Sequence, residues 1–136
     1  MNLSTWVLSR LLPNRQNQFQ ELILSLGENP ENRRYLLAEL NDLLAQAGKS
    51  ELQQIMEQMP TVQLEPYTVN YIAAMIETVA HKLEMPVTGW VVTIPPLPTP
   101  VFASELMSLR LHLLTHSPPA FRRRNIFIDA SIGDRV

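Results

Sequence analysis

At 136 residues the chain suits one compact domain, and 46% hydrophobic against 18% charged residues is a globular balance rather than a disordered one. A formal net charge of -2 supplies no global field toward nucleic acid or acidic lipid. With no cysteine, disulfide frameworks, thiolate nucleophiles and every cysteine-containing metal site are excluded.

The segment Met1 to Arg10 lacks a basic region followed by a long apolar run, so no secretory leader is expected. No apolar stretch approaches the roughly 18 residues of a membrane span, and the chain reads as cytoplasmic. Eleven prolines against four glycines make proline the main punctuation of the elements that follow.

A first helix is expected from Ser4, as cap, to Leu12, stopped near Pro13. Asn14 to Leu26 is the second, with Phe19, Leu22, Ile23 and Leu26 on one face and Gly27 as the residue beyond its C-cap. A third opens on Asn29 with Pro30 in the first turn and Glu31 beside the helix dipole. Leu36, Leu37, Leu40, Leu43 and Leu44 form its apolar stripe and Gly48 closes it. Ser50 starts a shorter helix with Leu52, Ile55, Met56 and Met59 inward, ended by Pro60.

Pro66 to Leu83 predicts a long helix with Tyr67, Tyr71, Ile72, Met75, Ile76, Val79 and Leu83 at helical spacing. Ala73, Ala74 and Ala80 leave room for a close neighbour. Pro86 ends it. From Val87 to Pro100 the prolines at 95, 96, 98 and 100 forbid a helix or a central strand. This stretch is expected as an extended strap over the helices, pinned by Trp90 and Phe102. Its other reading is a ligand for an aromatic groove on a partner. Ser104 caps a final helix through Leu106, Leu109, Leu113 and Leu114, stopped by Ser117-Pro118-Pro119. Phe121 to Val136 reads as an extended basic-aromatic segment. The expected fold is therefore all-α: a single domain of five to six helices over residues 1–120, including a Pro-rich connector at 86–102, and then the segment 121–136.

His112 and His116 stand four residues apart on one helix, a spacing able to grip a metal from one face. A site needs a third ligand, and the bland alternative is two histidines welcomed by a helix C-terminus. The four glycines are scattered, and neither a nucleophile elbow nor a carboxylate pair stands out. No metal, no cofactor and no enzymatic activity are expected.

Phe121-Arg122-Arg123-Arg124-Asn125-Ile126-Phe127 is the most distinctive stretch. As an anchor, its arginines take carboxylates or phosphates while the aromatics fill pockets. As structure, the phenylalanines pack on the chain's own helices and the arginines pair with its own acids. Both readings stand on the residues alone.

From about Tyr71 to Ile128 the chain resembles a group of small bacterial proteins. The shared pattern is a helix leading into Pro86-Val87-Thr88-Gly89-Trp90-Val91 and then a proline strap with Pro100-Val101-Phe102. Next come Leu109-Arg110-Leu111-His112-Leu113-Leu114 and the run Ser117-Pro118-Pro119-Ala120-Phe121-Arg122-Arg123-Arg124-Asn125-Ile126-Phe127-Ile128. The group is similar to the antitoxin-like or accessory half of two-gene toxin–antitoxin modules. The resemblance implies a partner encoded beside this chain and carries over no catalytic residue.

The expected function is a non-catalytic protein-binding module that engages a co-encoded enzyme or toxin. Arg110, Phe121, Arg122, Arg124, Asn125 and Phe127 are the candidate contacts. One alternative is a DNA-contacting regulator, with Arg33, Arg34 and Lys49 facing phosphates. Its would-be recognition helix, bearing Glu51, Gln53, Gln54, Glu57 and Gln58, is poor in cations. Another is a self-assembling helical homodimer, favoured by six methionines and broad leucine stripes.

Overall fold

The computed structural model describes residues 15–102 and 117–128. The helices expected at Ser4–Leu12 and from Ser104, with Arg110, His112 and His116, lie outside the described residues, as do residues 129–136. Helix α1 (Arg15–Glu28) buries Phe19, Ile23 and Leu26, the face its periodicity marks. It runs through Gly27 rather than stopping before it. That glycine serves a close approach instead: a Cβ there would stand 2.3 Å from Val62 Cγ1.

A 3-10 turn (Pro30–Asn32) precedes α2 (Arg33–Ala45), so Pro30 opens a tight turn rather than the helix proper. Leu36, Leu37, Leu40 and Leu44 are buried as their spacing predicts. Gly48 begins the next helix rather than closing this one, its N–H donating to Glu51 Oε1 at 3.0 Å. That next helix, α3 (Lys49–Glu57), buries Leu52, Ile55 and Met56. Met59 falls beyond its end and is exposed.

Helix α4 (Pro66–Lys82) opens on proline, whose fixed φ suits a first turn. Ile72 through Glu77, Val79 and Ala80 are buried almost all round, which makes α4 the central element. It packs against α2, α3 and the C-terminal segment, while α1 lies on α2 and α3.

The stretch after Pro86 is not extended throughout. Gly89–Thr93 coils into a 3-10 turn. Gly89 has φ +69°, and a Cβ on it would stand 1.9 Å from the Met56 carbonyl oxygen. Trp90 buries its ring and donates Nε1–H to the Ile55 carbonyl at 2.9 Å. These contacts draw the chain tight against the end of α3. Beyond Ile94 the strap runs extended, with Leu97 buried and the four prolines outward.

The C-terminal segment departs furthest from an extended tail. Pro119–Arg122 forms a one-turn helix, α5. Strand β1 (Val101–Phe102) then pairs in parallel with β2 (Ile126–Phe127), in register Val101 with Ile126 and Phe102 with Phe127. The two phenylalanine rings stack with centroids 4.9 Å apart. With five helices and one two-residue ladder among the described residues, the fold is all-α. No helix among them is long and apolar enough to cross a membrane.

Candidate functional site

The arginine-aromatic run gathers around α4, and most of it faces inward. Arg124 is 7% exposed. Its Nη1 donates to Asn70 Oδ1 at 3.0 Å and to the Ile94 carbonyl at 3.1 Å. Its Nη2 donates to Glu77 Oε1 at 2.5 Å and to the Val91 carbonyl at 3.0 Å. Only a planar fork of donors reaches two side chains on a helix and two carbonyls of a turn at once. Arg123 meets the other Glu77 oxygen at 3.1 Å from a more exposed position.

Asn125 holds the neighbouring turn. It sits at φ +63°, a conformation asparagine tolerates better than most residues, and donates Nδ2–H to the Leu97 carbonyl at 2.6 Å. Its own carbonyl accepts from Val101 N–H at 2.8 Å. Phe121 is fully buried with its ring edge-on to Tyr71, centroids 5.1 Å apart.

These positions correct the expected contact surface. Phe121, Arg124 and Phe127 are buried, and Asn125 spends its amide on the strap, so none of the four presents a free side chain to a partner. Arg122 alone of the described candidates is exposed. Arg110 lies outside the described residues. The cluster is a clasp that fastens strap and C-terminal segment to α4.

The clasp also borders a groove beside α4. An open recess of about 880 Å³ lies between α2 and α4, lined by Arg33, Arg34, Tyr35, Tyr67, Tyr71 and Ile128. Arg33 is held at one wall, its guanidinium 4.9 Å from the Tyr67 ring centre and Nη1 3.3 Å from Glu65 Oε2. Tyr67 and Tyr71 lie one helical turn apart, centroids separated by 5.9 Å, and form a half-buried aromatic floor. Burial pushes the Tyr67 phenol above its ordinary pKa, while the nearby Arg33 charge pulls it the other way. Tyr35 stands at the rim, 66% exposed. Phe121 braces Tyr71 from behind, and Ile128 closes one side.

A smaller cleft of about 430 Å³ between α1 and α2 has the opposite character, with Glu21, Glu39 and Asp42 in its lining. Among the described residues no three histidine, cysteine or carboxylate side chains converge as a metal set. The groove offers guanidinium donors, phenol hydroxyls and aromatic faces, which suits recognition of a surface. Tyr67 and Tyr71 read from the sequence as ordinary apolar-face positions. The only local signal was the triplet Arg33-Arg34-Tyr35 standing just outside the leucine stripe.

No protein-family model, no curated protein and no solved structure matches this chain.

Proposed function

We propose that this chain is a protein-binding module without chemistry of its own, and that its partner seats in the α2–α4 groove. One observation supports this above the others: arginine and tyrosine, the residue types that dominate interface energetics, line a single open recess on two helices packed against each other. Helices give such a surface fixed geometry, so little ordering opposes binding. The form of the reading we favour is the antitoxin-like or accessory one that the resemblance implies, with a cytoplasmic partner encoded beside this chain. Arg122, exposed beside the clasp, is a second candidate contact.

The test is size-exclusion chromatography with light scattering, on the protein alone and after co-expression with the product of the neighbouring gene. A mixed complex is expected, weakened by Arg34→Ala with Tyr35→Ala while circular dichroism stays unchanged. Separate elution of the two proteins would refute the co-encoded partner. A mass of two copies for the protein alone would support self-assembly in its place.

A further inference from the structure

The lining of the groove constrains what it can hold, and this step rests on the reading of the groove as a docking surface. Arg33 is already oriented by Glu65 and Tyr67, yet its guanidinium keeps further N–H donors beyond the one given to Glu65. Arg34 is exposed and pairs with no acid among the described residues. The two stand at the start of α2, where Glu65 offsets Arg33 and Glu31 lies in the same lining, so recognition there rests on the open guanidinium of Arg34 rather than on a net positive field. Below them the floor is aromatic and aliphatic: Tyr67, Tyr71 and Ile128. Along α2 the recess extends from Arg33 to Asn41, roughly 12 Å at the helical rise, which matches about four residues of extended chain.

We infer that the groove takes a short, extended, acidic segment of the partner protein, its carboxylates on Arg33 and Arg34 and an aliphatic or aromatic side chain laid on the tyrosine floor. Arginine suits carboxylates because its fork gives two parallel hydrogen bonds to one group. Alternation along an extended peptide places charged and apolar side chains on opposite sides, as wall and floor require. Nucleic acid is the poorer fit. Glu65 compensates Arg33 and Glu31 lines the same recess, which leaves Arg34 as the lining cation with no acid paired to it among the described residues, whereas a phosphate backbone draws its affinity from a run of separate cations. The acidic cleft between α1 and α2 lacks cations in its lining and cannot hold such a segment.

The experiment is fluorescence anisotropy on the full chain. The probe is a fluorescein-labelled peptide alternating glutamate with leucine and phenylalanine, compared with the same peptide carrying glutamine for glutamate and with a labelled oligothymidylate. Saturable binding of the acidic peptide is expected, weakening as salt rises. Arg34→Glu should reduce it by about tenfold or more, the loss of one charge-assisted contact. Arg34→Gln should lie between, and the exposed control Lys49→Glu should bind like the parent. Equal binding of the glutamine peptide, indifference to Arg34→Glu, or preference for the oligothymidylate would each overturn the inference. If the mixed complex with the neighbouring product forms and survives Arg34→Glu, the module reading stands and the acidic-segment inference falls. If the acidic peptide binds as described while no neighbour complex forms, the inference stands and only the co-encoded partner is lost.

Discussion

Arg124 is the side chain on which the C-terminal half of the fold turns, because its two terminal nitrogens satisfy four acceptors drawn from α4 and the strap. Removing it leaves the Glu77 carboxylate and two carbonyls in a region with little access to water. Arg124→Ala is expected to cost about 3 kcal/mol in urea unfolding, the low end for breaking a buried pair, because Arg123 still holds the other Glu77 oxygen. Arg124→Lys should recover little of this, since one ammonium cannot span the four acceptors. By contrast Arg122→Ala, at an exposed position, should stay within about 0.5 kcal/mol. If Arg122→Ala and Arg124→Ala prove equally mild, the clasp is not what holds this segment. Tyr67 permits a second expectation. Its phenol pKa is raised by burial, so the folded state holds the proton more tightly than the unfolded chain. The associated stability is whole below about pH 10 and is lost as pH rises through the folded value. Urea midpoints measured from about pH 9 to 11 should therefore fall more steeply in the parent than in Tyr67→Phe. Parallel slopes would mean the phenol titrates alike in both states.

At the level of elements, α1 to α4 were legible in the sequence, while α5 and the connections were not. Leucine spacing in α2 and the proline start of α4 are local signals, and both elements formed where those signals put them. Gly27, Gly48 and Gly89 carried no such local meaning, because what each accommodates is distant in sequence or belongs to the following element. The 3-10 turn at Gly89–Thr93 is set by the Met56 and Ile55 carbonyls at the end of α3, more than thirty residues earlier. The groove was illegible for the same reason: Arg33 and Tyr67 meet only once α2 lies on α4. Gly89→Ala tests this dependence directly. The added methyl meets a backbone oxygen at φ +69°, and a loss of at least about 2 kcal/mol is expected from the combined clash and left-handed strain. Differential scanning calorimetry reads it as a lowered thermal midpoint. An unchanged midpoint would show that the turn can move away from α3 at no cost.

For the whole molecule, the clasp joins pieces of chain far apart in sequence. Arg124 and Arg123 reach back to Asn70 and Glu77, while Phe121, Ile126 and Ile128 fill the core beside α4. The same residues shape the groove, since Phe121 backs Tyr71 and Ile128 lines the recess. Stability and the shape of the groove are therefore coupled through α4. A chain truncated before Ser117 would lose four large buried apolar side chains, Phe121, Ile126, Phe127 and Ile128, and leave Asn70 and Glu77 without their guanidinium. Each of those apolar losses alone is worth about 2–5 kcal/mol, comparable in sum to the roughly 5–15 kcal/mol that holds a typical domain together. The truncated protein should thus lose its cooperative unfolding transition and expose apolar surface to a hydrophobic dye. Phe121→Leu should act more gently, costing about 1 kcal/mol in stability while lowering groove affinity through a residue no partner touches. A truncated chain that still unfolds sharply, with the acidic peptide bound as before, would mean that α1 to α4 form the domain and the groove unaided.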